Sequence, residues 1–221
     1  MKNLPDLFDL SKTIAAGMFW GLEYPWELLP LLRDKIKELG AQLSPEDFDH
    51  PAEDIWIAKD AKIAPTASIT GPCIIDSGAE IRHCAFIRGS AVIGKGAVVG
   101  NSCELKNALL FDGVQVPHYN YVGDSILGYK AHMGAGAITS NVKADRKNVA
   151  VHTADGDIET GLRKFGAILG DFAEIGCNSV LNPGTVIGRN SNVYPLSSVR
   201  GLVPQNSIYK GKGNVVAKNE K

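Results

Sequence analysis

An aliphatic residue occupies every sixth position from Ile57 to Leu105, and a small residue follows each of them, except the last, four places later. Neither the 3.6-residue period of an α-helix nor the two-residue period of a strand produces a strict period of six. A six-residue repeat is typical of a β-helix, in which short strands form the flat faces of successive coils. The sequence therefore predicts an all-β solenoid. The aliphatic positions are Ile57, Ile63, Ile69, Ile75, Ile81, Ile87, Ile93, Val99 and Leu105.

The same period returns in residues 169–199. Before it returns, two five-residue steps interrupt the repeat, one from Leu105 to Leu110 and one from Val122 to Leu127. A shift of one residue turns a side chain to the opposite face of a strand, so each step must be absorbed at a corner of the coil. Interruptions in a regular solenoid are places where functional residues are expected.

The chain divides into an N-terminal arm (1–54), a β-helix (55–204) with an inserted loop (142–165), and a polar tail (205–221). Apolar residues at helical spacing in the arm predict a short helix, which could cover one open end of the strand stack. The loop carries valines around the turn signal at 154–156, and they predict a short hairpin that projects from the coil. The lysine-rich tail is expected to be solvated.

Charge and cysteine usage restrict the kind of protein. Lys and Arg number 23 against 24 Asp and Glu, so no nucleic-acid or membrane partner is expected, and an anionic ligand needs a local cluster of cations. Cys73 and Cys103 occupy small-residue positions of the repeat, and no CxxC pair occurs, so we expect buried free thiols. The first ten residues carry acids rather than the bases of a secretory signal, so a cytoplasmic location is expected.

His118 is the candidate general base. It lies between the two five-residue steps, in the run Val116-Pro117-His118-Tyr119-Asn120-Tyr121-Val122-Gly123-Asp124. Imidazole is the side chain best suited to proton transfer near neutral pH. A single histidine is more often structural than catalytic, so its position alone leaves both roles open.

Two motifs at a fixed separation resemble those of a known family. The first is His118-Tyr119-Asn120-Tyr121-Val122-Gly123-Asp124-Ser125, and the second is Met133-Gly134-Ala135-Gly136-Ala137-Ile138-Thr139-Ser140-Asn141. They resemble the acetyltransferase half of the bifunctional N-acetylglucosamine-1-phosphate uridyltransferase/glucosamine-1-phosphate acetyltransferase, over about residues 80–200. The inserted loop is more similar to that of the archaeal-type sugar-phosphate nucleotidylyltransferase/acetyltransferases. The resemblance implies a left-handed parallel β-helix assembled as a homotrimer.

The resemblance also implies a reaction, the direct transfer of an acetyl group from acetyl-coenzyme A to an amino-sugar phosphate such as glucosamine-1-phosphate. His118 then takes the proton from the sugar amine, and no metal ion is required. Ala135 and Cys177 are implied to line a coenzyme A groove between subunits, and backbone N–H groups at Gly134–Gly136 could stabilise the oxyanion. The residues implied to bind the substrate are Arg88, Lys106, Tyr121, His132, Asn141 and Lys164.

Some of these residues leave other functions open. Arg88 and Lys106 each follow an inward aliphatic residue and therefore point outward, where a solvated charge would look the same. His132 replaces an asparagine that contacts the sugar in the family. This change leaves the acceptor undetermined and allows a catalytically silent scaffold or a partner of a separate nucleotidylyltransferase.

A γ-carbonic-anhydrase-like metalloenzyme would need three histidines around zinc, and His118 and His132 lack a third one nearby. No glycine-rich phosphate-binding loop is present, so nucleotidyl transfer is not expected.

Overall fold

The computed structural model describes residues 7–218 and has the predicted architecture, a left-handed parallel β-helix. Strands on successive coils pair in parallel, and residues eighteen apart are partners, as Ile57 is with Ile75 and Ile75 with Ile93. One coil therefore contains three six-residue repeats and three flat faces. The inward aliphatic residues stack in the centre and are almost fully buried from Ile75 onward. The six-residue period thus correctly predicts the all-β fold.

Most strands are two to four residues long. In chain order they are β1 Phe48–Ala52, β2 Ile55–Ala58, β3 Lys62–Ile63, β4 Ser68–Ile69, β5 Cys73–Ile75, β6 Glu80–Ile81, β7 Phe86–Ile87, β8 Ala91–Ile93, β9 Val98–Asn101, β10 Glu104–Leu110, β11 Gln115–His118, β12 Tyr121–Leu127, β13 His132–Met133, β14 Ile138–Thr139, β15 Ala150–Thr153, β16 Gly156–Glu159, β17 Ala167–Leu169, β18 Glu174–Ile175, β19 Val180–Leu181, β20 Thr185–Ile187, β21 Asn192–Val193, β22 Ser198–Val199, β23 Leu202–Val203, β24 Ser207–Gly211 and β25 Asn214–Ala217.

The first face of the solenoid contains β2, β5, β8, β17, β20 and β23, the second contains β3, β6, β9, β11, β13, β18, β21 and β24, and the third contains β4, β7, β14, β19 and β22. Strands β10 and β12 run from the third face around a corner into the first. At that corner each of them makes one of the five-residue steps, with a left-handed residue at Asn107 (φ 51°) and at Asp124 (φ 48°). Both irregularities of the repeat therefore fall on one corner of the coil.

The helical part of the N-terminal arm lies on the first face, while β1 at the end of the arm pairs antiparallel with β2 and so covers the open edge of the first strand of that face. It contains the helix α1 (Leu32–Gly40), and three short 3₁₀ turns at Leu10–Lys12, Ala16–Phe19 and Pro25–Leu28. Helix α1 contacts β5 and β8, and the third turn contacts β12. The outward side chains of this face are apolar, and Ile74 is fully buried beneath the arm. The arm therefore removes this apolar face from water.

The inserted loop also packs on the first face. Strands β15 and β16 form the antiparallel hairpin that the valines predict, but Val149 and Val151 are fully buried instead of projecting with the hairpin into solvent. Strand β15 contacts β20 and β23. The N–H of Phe165 donates to the carbonyl of Asn141 over 3.0 Å, which closes the base of the insertion.

The segment after Pro204 differs from the expected solvated tail. Strand β24 pairs in parallel with β21, and β25 pairs antiparallel with β24. The tail is ordered because Tyr209 takes the next inward position above Val193 and is 7% exposed. Positions 1–6 of the predicted arm and 219–221 of the predicted tail lie outside the described residues. None of the helices in the described part combines the length and apolar character needed to cross a membrane.

Candidate functional site

Two corners of the solenoid border the third face and carry most of the predicted site residues. We call the corner between the second and third faces the His118 corner, and the corner between the third and first faces the Asp124 corner. Backbone hydrogen bonds between coils stack the residues of the His118 corner, which are His83, Asn101, His118, Ala135 and Cys177. The corresponding residues of the Asp124 corner are Arg88, Lys106, Gly123, Ser140, Asn182 and Arg200, together with the residue that follows each of them.

The backbone of His118 is held firmly, and its imidazole is exposed. Its N–H donates to Asn120 Oδ1 (3.1 Å), and its carbonyl accepts from Gly136 N on the next coil (3.0 Å). Asn120 is 2% exposed and donates to the carbonyls of Gly134 and Ala137. No side-chain hydrogen bond or ion pair engages the imidazole within residues 7–218. A ring displayed in this way is free to exchange a proton with a ligand.

Asp124 is the centre of a buried polar cluster at its corner. Its carboxylate accepts from Lys106 Nζ (3.0 and 3.1 Å), from Asn107 Nδ2 (2.9 Å) and from Asn141 Nδ2. The residue is 3% exposed, and a buried carboxylate is tolerated only when donors surround it. The sequence places Asp124 in the motif but gives it no role. The signal that could have found it is the second five-residue step, which falls at this residue.

Tyr121 joins the same cluster through Asn141, whose Nδ2 donates to the tyrosine hydroxyl (3.3 Å). The ring lies over Gly123, where any Cβ would collide with the hydroxyl oxygen. Burial raises the pKa of the Tyr121 hydroxyl, and the nearby charges of Asp124 and Glu104 raise it further. The hydroxyl therefore stays protonated and neutral around pH 7. It is available as a hydrogen-bond donor to a ligand oxygen.

Arg88 stands one coil before Lys106 and is paired with Glu104 (Nη1 to Oε1, 2.6 Å). This pair is partly solvated, with 47% of the arginine side chain exposed, whereas the Lys106–Asp124 pair is largely buried. Each of these two predicted substrate-binding cations thus already has a carboxylate partner, and the four charges cancel. A guanidinium has five N–H donors and an ammonium three, so donors remain for an anionic ligand.

Lys164 is exposed, and the next residue, Phe165, holds it near the site. Phe165 is fully buried, donates from its N–H to the carbonyl of Asn141, and packs against Trp26 of the arm at 5.7 Å between ring centroids. The next N–H, from Gly166, donates to the carbonyl of Asp124 (2.8 Å). The Lys164 ammonium has no hydrogen-bond partner in the part of the chain described. These two backbone bonds place Lys164 beside the Asp124 cluster, and its ammonium is free to bind a ligand.

His132 does not lie with the other predicted substrate residues. It points outward from the second face, where its Nδ1 is 3.0 Å from Glu174 Oε2. It precedes Ala135 of the His118 corner by three residues, so the flat strand and not the turn sets its direction. Ala135 and Cys177 do lie at that corner, on the coils after His118. Their assignment to a coenzyme A groove stays a prediction.

The backbone donors expected for an oxyanion are mostly engaged. Gly134 N–H donates to the carbonyl of Ile175 (2.7 Å) and Gly136 N–H to that of His118. Both bonds belong to the ladder between coils, which a β-helix needs at every step. Among the described residues only Ala135 N–H, of these three, has no acceptor. Of the backbone donors considered for an oxyanion, Ala135 N–H is therefore the one that the described residues leave free for a ligand, and its role stays a prediction. Within residues 7–218 no group of three or more His, Cys, Asp or Glu side chains is arranged to hold a metal ion.

Comparison with known proteins places this site in a family. The model of the GMPPB C-terminal domain matches residues 69–171. The uncharacterized acetyltransferase YaiX of Escherichia coli (strain K12) is 30% identical over 80% of this chain and 78% of its own length. The chain belongs to the hexapeptide-repeat acetyltransferase family. A bifunctional protein GlmU of Methanococcus maripaludis is 31% identical over 95% of this chain.

This hexapeptide-repeat chain spans about half of the length of that bifunctional relative, 54%. A bifunctional sugar-1-phosphate nucleotidylyltransferase/acetyltransferase of Sulfurisphaera tokodaii matches at 34% identity over 49% of this chain and 27% of its own. Among solved structures, an acetyltransferase of Bacillus cereus is similar at 21% identity and a TM-score of 0.43, over 75% of this chain and 78% of that one. This last match adds nothing to the family assignment.

Proposed function

We propose that this protein transfers an acetyl group from acetyl-coenzyme A to the amine of an amino sugar that carries a phosphate ester, of which glucosamine-1-phosphate is the simplest. The observation that carries the proposal is the cluster around Asp124. It brings Lys106, Tyr121 and Asn141, distant in sequence, into one hydrogen-bonded group. A cation, a neutral hydroxyl and an amide are the groups suited to a phosphate and sugar hydroxyls.

His118 is the proposed general base. It precedes Tyr121 by three residues around a corner with Tyr119 in the left-handed region, so their backbones are at most about 10 Å apart, a distance that a bound sugar can span. His118 accepts a proton from the amine as the amine nitrogen attacks the thioester carbonyl. A C–N bond forms, the C–S bond breaks, and the sulfur leaves as the thiol of coenzyme A once it is protonated. A positioned base of this kind contributes about 10²- to 10⁴-fold to a rate.

The acetyl-coenzyme A is proposed to lie along the His118 corner, beside Ala135 and Cys177. Both residues lie on the His118 corner, on the two coils after His118, and this corner is solvent-accessible at His118 and Cys177. We propose that a second copy of the chain forms the other wall of this groove, in a homotrimer. The support for the trimer is the family resemblance of the His118 and Met133–Asn141 motifs.

Purified protein tests the function directly. Coenzyme A release is measured by chromatography with acetyl-coenzyme A and a panel of amino-sugar phosphates, because exposed protein thiols would disturb a colorimetric thiol assay. His118→Ala is expected to lower kcat about 100-fold or more. His83→Ala is the matched control, since His83 is exposed on the same corner and its ring is hydrogen-bonded to Thr66. Equal rates for His118→Ala and the unmodified protein would remove the proposed base.

A further inference from the structure

Asn120 departs from the pattern that lines the inside of the coil. A small residue usually lies four places after an inward aliphatic residue, and Asn120 takes this position after Val116. Strand pairing stacks these positions beside the His118 corner in an inner column, which contains Ala85, Cys103, Asn120, Ala137, Ser179 and Ser197. Asn120 is the largest residue of the inner column and is 2% exposed. Because a buried amide is costly unless it is hydrogen-bonded, its presence there calls for an explanation.

The amide of Asn120 bridges two coils. Its Nδ2 donates to the carbonyls of Gly134 (2.9 Å) and Ala137 (3.0 Å) on the next coil, and its Oδ1 accepts from the N–H of His118 (3.1 Å) on its own coil. Residues 134–137 form the turn that carries Ala135, whose N–H is the donor without an acceptor among the described residues. One buried side chain therefore connects the backbone of the proposed base to the turn that carries this donor.

Neighbouring coils show what the fold itself requires in the inner column. Ala85 and Ala137 fill the same position without a polar side chain, so alanine is compatible with the coil. Ser179 Oγ donates to the carbonyl of Tyr194 on the next coil (3.1 Å), which is the same kind of bond between coils. Within residues 7–218, Asn120 is the member of the inner column whose side chain accepts from the N–H two residues before it. The fold does not require that bond.

We propose that Asn120 is a positioning residue for acetyl transfer, which fixes the His118 imidazole relative to the turn that carries the Ala135 N–H. The proposal rests on the proposed function, to which it adds a residue and no new reaction. Asn120 is too deeply buried to contact a substrate, so it acts through the backbone of His118. The base must meet the amine while the thioester oxygen gains charge nearby, so the relative placement of these groups controls the rate.

The coenzyme A release assay compares Asn120→Ala with the unmodified protein. A misplacement of about 1 Å can cost about 100-fold in rate, and a loosened backbone moves the base by less than this on average. We therefore expect Asn120→Ala to lower kcat about tenfold and to change the KM for the amino-sugar phosphate less than twofold. Ser179→Ala is the matched control, because it removes a bond between coils in the same column without touching His118, and its kcat is expected to stay within twofold.

A conservative variant separates hydrogen bonding from side-chain volume. Serine is nearly as small as alanine, but in the inner column its hydroxyl donates to the next coil, as Ser179 does. Asn120→Ser is therefore expected to retain a kcat at least threefold higher than that of Asn120→Ala. Equal values for the two variants would show that Asn120 only fills space and would overturn the proposal.

A double variant tests whether the effect passes through the base. In the His118→Ala background no imidazole remains to be placed, so adding Asn120→Ala is expected to lower the residual rate less than twofold. A structural defect lowers the rate by the same factor in both backgrounds. A tenfold loss in each background, or equal losses for Asn120→Ala and Ser179→Ala, would overturn the proposal.

Amide hydrogen exchange of His118, measured by NMR on the full chain, needs no turnover. Asn120 Oδ1 accepts this N–H, so exchange is expected to be at least tenfold faster in Asn120→Ala and unchanged in Ser179→Ala. Unchanged exchange in Asn120→Ala would overturn the proposal. Turnover that Asn120→Ala leaves unaltered removes the positioning role alone. Absence of turnover by the unmodified protein removes the proposed function, and the exchange rate still decides whether Asn120 holds His118.

Discussion

Replacing Asp124 by asparagine tests whether the buried cluster organises the site. The substitution keeps the shape of the side chain, removes its charge and turns one acceptor oxygen into an NH₂ donor. Lys106 then loses its carboxylate, and the new NH₂ faces the amide donor of either Asn107 or Asn141, depending on which carboxylate oxygen it replaces. The change therefore leaves a partly buried ammonium, 27% exposed, without its counter-ion.

The structure sets the expected magnitude. Breaking a buried ion pair by removing one partner costs about 3–5 kcal/mol, and a hydrogen bond to a charged group is worth about 1.5–3 kcal/mol. Lys106 retains some contact with water, so the lower end applies, and we expect Asp124→Asn to lower the free energy of unfolding by about 3 kcal/mol. Proteins are stable by only about 5–15 kcal/mol, so the loss is readily measured.

The assay is urea unfolding at one protein concentration, with Glu104→Gln as the control. Glu104 forms the other ion pair of the site, but that pair is partly solvated, so its loss is expected to cost much less than the loss of Asp124. A double variant, Lys106→Met with Asp124→Asn, is expected to lose less than the sum of the single variants because no lone charge remains. Equal losses for Asp124→Asn and Glu104→Gln, or strictly additive losses in the double variant, would refute the reasoning.

Two further predictions concern the solenoid. Cys84 and Cys177 are exposed and are expected to react at once with a thiol reagent at pH 8, whereas burial raises the pKa of Cys73 to about 12, so this thiol is expected to react only after unfolding. Early labelling of Cys73, measured by mass spectrometry, would contradict this. Gly100→Ala is expected to prevent folding because its Cβ would overlap a backbone carbonyl on the next coil, while Gly17→Ala, with open space around it, is expected to leave the circular dichroism melting curve unchanged.

The fold was largely predictable because each six-residue repeat corresponds to one flat face of the coil. An inward residue must be aliphatic on every face, so burial enforces the repeat in the sequence itself. The covering of the first face was not predicted. Its outward residues, such as Ile74 and Val92, are as apolar as the inward ones, but only the structure shows that the arm and the hairpin bury them.

The site was predictable in part. The family motif points to Lys106, Tyr121 and Asn141, and the structure brings these three together. It does not point to Asp124 as the residue that joins them, because hydrogen bonds between coils link residues seventeen or eighteen apart and leave no local pattern. His132 lies apart on the second face for a related reason, since a residue's distance from a corner decides which surface it occupies.

The sequence by itself determined the coil with its flat faces and the two points at which the repeat slips, because each of these follows from side-chain burial at a fixed spacing. The tertiary structure alone decided which charges are paired. It joined Asp124 to donors from the coils before and after it and, within residues 7–218, left Arg200 without an ion-pair partner beside a cleft that the insertion builds. Charge pairing depends on distances between coils of a few ångströms, and a linear repeat specifies the coil to which a residue belongs but not the partner that it meets there.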